Sequence, residues 1–262
     1  MTPADVISGA AQWVVLHADN ADVLPALAAK SVAHVITDPP YSEHTHGKSR
    51  AGHKMPDGHS RERELGFDAL AIGDRERLAL EFARLSCRWQ LIFSDQESVS
   101  DWRHAVIAAG VDHVRIGQWV KLGASPQFSG DRPANGCEPV EVAHAKGRKR
   151  WNGGGNHAVW THPIVTGSNS ERTSHTTQKP LPLMLELVEL FTDPGDVVLD
   201  PFCGSGTTGV ACIRLGRRFI GIEKHGPYTG IARERLEAES RGLTLRDSRA
   251  GQLALADIWS GP

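Results

Sequence analysis

Apolar positions along the chain fall into short continuous runs that alternate with longer stretches of helical spacing. Residues 12–19 (QWVVLHAD) read as a strand ending at Ala18-Asp19. Asn20 is placed to cap a helix over 21–30, where Val23, Leu24, Ala26, Leu27 and Ala28 keep helical spacing. A second strand follows at 32–37, so the opening reads β-α-β. The same rhythm predicts a helix over 74–86, a buried strand over 89–95, a helix over 97–109 ending at Gly110, and a strand over 114–121. It returns late in the chain as an amphipathic helix at 181–191, a strand at 197–199, a helix ending at Gly216 and a strand at 218–222. Strands and helices that alternate in this way predict an α/β fold: a doubly wound, mostly parallel sheet with helices on both faces.

Two stretches break the rhythm. Residues 42–66 are polar and glycine-interrupted, too long for an ordinary connection, and read as a mobile loop that meets an anionic polymer. Lys48, Arg50 and Lys54 are its candidate contacts, with Arg61 and Arg63 further along. His44, His46, His53 and His59 lie in the same loop, but a zinc site would need tighter paired spacing and a second cluster, so no metal is expected. Residues 123–174 are rich in Gly, Pro, Ser and Asn, and only 139–145 reads as a strand. There, Lys146, Arg148, Lys149 and Arg150 stand beside Trp151 and a glycine run. A like-charge run is most often a solvated face; beside an aromatic and flexible glycines it also suits tracking of phosphates.

The strand tips carry the chemistry. The strand at 32–37 ends in Asp38-Pro39-Pro40-Tyr41. Prolines lack N–H donors and stop a strand, leaving a carboxylate and an unpaired carbonyl as a two-acceptor fork beside an aromatic platform. Such a fork could hold a planar amine, and on this tetrapeptide alone a simple strand-ending turn accounts for it equally well. The strand at 197–199 runs into Asp200-Pro201-Phe202-Cys203-Gly204-Ser205-Gly206-Thr207-Thr208 and a helix, a strand–turn–helix suited to close approach by a charged ligand. Glu223 stands at the tip of the next strand, where nucleoside-binding sheets place the residue that holds a ribose diol. No third glycine follows at the pyrophosphate spacing, and Asp200 would repel a pyrophosphate while attracting a cation. S-adenosylmethionine, with its ammonium, sulfonium and ribose diol, is such a ligand; a nicotinamide cofactor is not.

Composition narrows the setting. The chain has 262 residues, 40% hydrophobic and 23% charged, which predicts one soluble domain spanning 1–262. A net charge of -2 leaves nucleic-acid contact to local basic patches. No apolar run reaches the roughly 20 residues of a membrane span, and the N-terminus has no signal-peptide character, so a cytoplasmic protein without membrane contact is expected. The scattered Cys87, Cys137, Cys203 and Cys212 fit reduced thiols.

Asp38-Pro39-Pro40-Tyr41, then His175-Thr176-Thr177-Gln178-Lys179-Pro180, then the segment 200–208 resemble, in that order, the beta group of S-adenosylmethionine-dependent DNA amino-methyltransferases. In that group the catalytic motif precedes the cofactor motif, a circular permutation of the Rossmann-like methyltransferase order. The resemblance covers most of the chain, including Trp119-Val120-Lys121 and the exit at 220–237; it is weakest over 123–174, where members carry a target-recognition segment. It implies that Asp38 and the Pro39 carbonyl accept hydrogen bonds from the target amine of a flipped base in double-stranded DNA and that Tyr41 stacks on that base. It implies that Asp200, Phe202, Gly204, Ser205, Gly206 and Thr207 line S-adenosylmethionine, that Glu223 binds its ribose and Asp19 its adenine, and that Thr177 and Lys179 hold its methionine carboxylate. Members that begin Ser-Pro-Pro lean to cytosine N4 and those that begin Asp-Pro-Pro to adenine N6, so adenine is expected. C5-cytosine chemistry is rejected, since Cys203 lies in the cofactor loop and no cysteine adjoins the catalytic motif. The alternatives are a cytosine-N4 enzyme, the same chemistry on RNA or protein, and a non-catalytic nucleic-acid-binding homologue. A homodimer is left open, and the tail 241–262 reads as a short strand or an oligomer contact.

Overall fold

The structure, a computed structural model, describes residues 1–41, 70–166, 173 and 177–251. Eight strands form one sheet in the order β1-β8-β7-β2-β3-β5-β4-β6. These are β1 (Trp13–His17), β2 (His34–Thr37), β3 (Trp89–Phe93), β4 (Asp112–Leu122), β5 (Cys137–His144), β6 (Val159–Pro163), β7 (Val197–Asp200) and β8 (Arg218–Glu223). From β1 to β3 all neighbours are parallel; β5 is antiparallel to both β3 and β4, and β6 runs parallel to β4. The sheet is therefore mixed, with the predicted parallel order in its first five strands. Strands β2, β3 and β7 are buried at every position, which is why they read as unbroken apolar runs.

Helices cover both faces. On one face α5 (Leu181–Phe191), α6 (Thr207–Arg214) and α7 (Gly226–Ser240) pack Leu183, Leu187, Val210, Ala211 and Leu236 against Val15, Ile36, Leu91 and Phe219. On the other, α1 (Pro3–Ser8), α3 (Ile72–Leu85) and α4 (Val99–Ala108) pack Val6, Leu78, Phe82, Trp102 and Val106 against Val35, Ile92, Leu199 and Ile220. Alternate residues of each strand feed the two cores.

Three elements depart from the sequence reading. The helix expected over 21–30 is only α2 (Asn20–Val23) and a 3-10 turn over Leu24–Ala26, and its cap is Asp19, whose side chain accepts from the Ala21 N–H. Pro25 explains the shortening, because its ring denies the helix a donor and crowds the preceding turn. Helix α1 was not anticipated, although Thr2 and Asp5 form a capping box, Pro3 opens the first turn and Gly9 closes it with a left-handed φ of 87°. Within the tail, Leu245–Arg249 forms a short helix, α8, capped by Thr244, where a strand had been one of the expectations; 252–262 lie outside the described residues. No described helix is long and apolar enough to cross a membrane.

Candidate active site

Strands β7 and β2 are adjacent, with His34 opposite Val198 and Val35 opposite Leu199. From β7 the chain passes through α6 to β8 on one side, while β3 lies on the other side of β2. The order reverses between β7 and β2, and the crevice beyond their carboxyl ends is where open α/β sheets bind ligands. The two motifs thus meet: Thr37 Oγ1 donates to Asp200 Oδ1 at 2.8 Å.

Asp200 is 2% exposed and is held by three neutral donors, Thr37, Thr208 Oγ1 at 2.7 Å and the Phe202 N–H at 3.1 Å. Burial pushes its carboxyl up to about 7, with those donors pulling the other way and Asp38 adding like-charge repulsion. Asp200 therefore shapes the loop from behind. Ser205 and Thr207 also turn inward: the buried Arg235 of α7 donates to Ser205 O at 2.7 Å, Ser205 Oγ at 3.2 Å and Thr207 Oγ1 at 3.0 Å. Gly206, with φ of +79°, has its bare α-carbon against α7, since a Cβ there would stand 3.0 Å from Ala232 Cβ and Leu236 Cδ1. That glycine lets α7 pack closely against the turn. Gly204 keeps a positive φ of 52°, and its N–H donates to Glu223 Oε2 at 2.9 Å.

Glu223, half-buried at the tip of β8, also accepts from the His225 N–H at 2.7 Å, and burial raises its carboxyl against these bonds. His17 of β1 pairs with Glu223 in register, so Asp19 sits beside it. Asp19 is held below the usual carboxylate range by Lys224, at 2.8 Å, and by the Ala21 N–H. Phe202 is half-buried and Thr177 exposed. Cys203 is buried, and burial together with Asp200 pushes its thiol up, which removes it as a nucleophile.

The Asp38 tip is a closed ionic cluster. Lys179 Nζ lies 2.5 Å from Asp38 Oδ2 and 2.9 Å from Glu138 Oε1, over the Phe93 and Tyr41 rings. Tyr41 OH is 2.9 Å from Asp38 Oδ1 and within hydrogen-bond reach of Glu138 Oε1. Lys121 Nζ binds Glu138 Oε2 at 2.6 Å. Burial drives the Asp38 carboxyl above its ordinary value despite the pull of Lys179. Burial opposes the Glu138 charge too, but Lys179 and Lys121 outweigh it and hold that carboxyl low. Lys179 stays charged, its two carboxylates overcoming the burial that disfavours an ammonium. Pro39 is buried, and Pro40 and Tyr41 are half-buried.

Glu138 and Lys121 were not singled out from the sequence as site residues, nor were Thr37 and Arg235. Glu138 reaches the site because β5 runs antiparallel to β3 with Val140 opposite Phe93, which carries Glu138 past the carboxyl end of β3. The same register sends the basic run the other way. His144 lies opposite Trp89 at the far end, and the chain beyond it forms ion pairs from Lys149 to Asp112 at 2.7 Å and from Arg150 to Asp193 at 3.3 Å. Lys146, Arg148, Lys149 and Arg150 thus stand at the opposite sheet edge, six residues of strand or roughly 20 Å from Glu138. Lys48, Arg50 and Lys54 lie outside the described residues, as do the histidines of 42–66.

Taken together, the edge holds three carboxylates whose burial disfavours their charge, Asp38, Asp200 and Glu223, around a glycine turn. A ligand with positive charge suits that donor set.

A family model for N6/N4 methyltransferases, described as DNA methylase, matches residues 119–234. The chain is 30% identical over 246 residues to the type II methyltransferase M2.DpnII of Streptococcus pneumoniae, covering 87% of this chain and 91% of the relative. Among solved structures, the M1.HpyAVI–SAM complex is similar at a TM-score of 0.64 and 28% identity, over 86% of this chain and 98% of that one. The cytosine-N4-specific PvuII DNA methyltransferase shares the fold at a TM-score of 0.65 and 15% identity, over 85% and 86% of the two chains.

Proposed function

The chain belongs to the N6/N4 DNA methyltransferase family, and from that premise we propose that it methylates the exocyclic N6 amine of adenine in double-stranded DNA, with S-adenosylmethionine as methyl donor. The observation that carries this reading is the pairing of the Asp38 tip with the Asp200–Gly206 turn at the switch point of the sheet. S-adenosylmethionine supplies an electrophilic methyl group and two positive centres. The residues fit it: Glu223 and Asp19 stand together at the strand tips for the ribose and adenine, and the buried carboxylates favour a cation. The target amine is a weak nucleophile because its lone pair is delocalised into the ring. Acceptors at Asp38 and the Pro39 carbonyl draw on its hydrogens, restore density to nitrogen and aim it, so positioning and electrostatics carry the rate. A stacked base cannot reach Asp38, so the base flips out, at a cost of a few kcal/mol that stacking on Tyr41 partly offsets. Thr177 and Lys179 are assigned to the methionine end, where Lys179 also neutralises the carboxylate pair.

The test is incubation of purified protein with labelled S-adenosylmethionine and unmethylated duplex DNA, followed by nucleoside analysis. N6-methyl-2′-deoxyadenosine is the expected product. N4-methyl-2′-deoxycytidine would reassign the base, and no transfer to DNA would overturn the reading.

The DNA face is assigned to the edge that holds Asp38. The loop 123–136 leaves β4 just after Lys121 and returns through Glu138, and it presents Phe128 with 79% of its surface exposed. An exposed aromatic beside a flipped-base site can fill the gap left in the stack. Phe128→Ala is expected to raise the KM for DNA roughly tenfold, in line with about 1–3 kcal/mol per aromatic–base stack. Affinity for S-adenosylmethionine stays unchanged. Lys146→Ala and Arg148→Ala, at the far edge, change neither. Steady-state kinetics with a fixed duplex distinguishes the two edges.

A further inference from the structure

Tyr41 has one hydroxyl hydrogen, yet its oxygen lies within hydrogen-bond reach of two carboxylates, Asp38 Oδ1 at 2.9 Å and Glu138 Oε1. With that hydrogen on the Glu138 side, the Asp38–Tyr41 contact joins two acceptors and lacks a proton. The remaining oxygens of the pair are already served: Lys179 donates to Asp38 Oδ2, and Lys121 to Glu138 Oε2. Two carboxylates against two ammonium groups leave the cluster neutral and one proton short of full hydrogen bonding. Amine methylation delivers one proton.

We propose that Asp38, Tyr41 and Glu138 form a relay that takes the proton released by the methylated amine: Asp38 receives it, and the Tyr41 oxygen, its own hydrogen turned to Glu138, accepts from the new carboxyl. The proposal rests on the reading of Asp38 as the group that grips the target amine. In the step, the nitrogen lone pair forms the new C–N bond while the C–S bonding pair returns to sulfur, leaving a positively charged nitrogen. That nitrogen loses one proton to Asp38, whose carboxyl then donates to the Tyr41 oxygen, while the Tyr41 hydrogen stays directed at Glu138. Charge balances: one positive charge leaves the donor and one carboxylate becomes neutral. The charged groups facing the relay are Lys179 from the segment before α5 and Lys121 from β4, with Asp200 from β7 next to Asp38. Lys179 keeps its contact with Glu138 while Asp38 turns over, so the cluster does not fall apart when Asp38 is protonated. Burial favours a proton on Asp38, which suits its part as the acceptor. Glu138 acts only through Tyr41 and is a positioning residue of the site.

Single-turnover methyl transfer across a pH range tests this with Glu138→Gln, Tyr41→Phe and the double variant. Each single change is expected to lower the plateau rate roughly ten- to a hundredfold, within the span that proton transfer contributes, with affinity for S-adenosylmethionine retained. The double variant should be no slower than the slower single variant, because either change cuts the same path. Glu138→Gln also removes a negative charge beside Asp38, so the acid limb of the rate profile moves to lower pH; loss of packing alone would not move it that way. Losses that multiply in the double variant, or a Glu138→Gln plateau equal to wild type, would overturn the relay. A wild type that transfers no methyl to an amine would instead reject the underlying function.

A measurement on otherwise unaltered protein covers the case where these variants do not fold. The chain contains 2 tyrosines, so Tyr228→Phe leaves Tyr41 as the sole source of tyrosinate absorbance. Held between two carboxylates, Tyr41 should keep its proton well above the ordinary phenol range; titration at the ordinary value would count against the relay.

Discussion

Asp38→Ala is expected to reduce methyl transfer by at least a hundred- to a thousandfold, the scale seen when one preorganised polar group at a reacting centre is removed. Binding of S-adenosylmethionine should survive, because the turn after β7 is held by Thr37, Thr208 and Arg235, none of which depends on Asp38. Lys179 would not be stranded either, since Glu138 still holds it at 2.9 Å. The protein should therefore fold, and single-turnover rates set against calorimetric binding of the donor would separate chemistry from binding. A variant within tenfold of wild type in rate would remove Asp38 from the reaction. Asp38→Asn is the sharper control. It keeps the shape but puts an amide beside Lys179, so a loss as large as that of the alanine variant would show that the charge is what matters.

The tips of β2, β7 and β8 were legible because each is the end of a strand buried on both faces, and such a strand announces itself as an apolar run stopped by a polar residue. Local punctuation at 38–41 and 200–208 then placed Asp38 and Asp200 at the edge without any knowledge of strand order. What could not be read was pairing. Glu138 sits in a segment, Cys-Glu-Pro-Val, that by itself looks like the mouth of a loop; only the antiparallel register of β5 on β3 brings it to Lys179 and Tyr41. Where the basic run lies could not be read for the same reason. Charge is a local property, but the sheet edge on which it stands depends on the direction of β5, and six residues carry it to the end away from the site. Arg235 was hidden because a helix that shows Arg233, Glu234, Arg235 and Glu237 looks solvated on every side until its packing on the glycine turn is known.

The same strand that supplies Glu138 carries a second buried acid, and its expected effect is on stability. Glu141 is 0% exposed on β5, flanked by Ile92 of β3 and Ile116 of β4. Its Oε1 lies 2.7 Å from His113 Nδ1, and its Oε2 has no hydrogen-bond partner among the described residues. Burial pushes the carboxyl up to about 8, only weakly opposed by Arg103, while burial and Arg103 lower His113. Near neutrality the pair is therefore an uncharged acid donating to an uncharged imidazole. The folded value lies above the ordinary 4.5, so the native state binds this proton more tightly than the unfolded chain. The stability that depends on it is complete below about pH 4.5 and drains away as pH rises through about 8. Each unit of that window is worth about 1.4 kcal/mol at most. Glu141→Gln keeps the shape, offers an amide N–H to His113 Nδ1 and removes the titration. The two proteins should melt together near pH 5. Across pH 5 to 8 the variant should gain on wild type by a few kcal/mol, a rise of roughly 5–10 °C in Tm for a chain of this size. Above pH 8 the gap should stay constant. Thermal melts at half-unit pH intervals read this directly, and parallel curves for the two proteins from pH 5 to 9 would show that Glu141 does not titrate in this window.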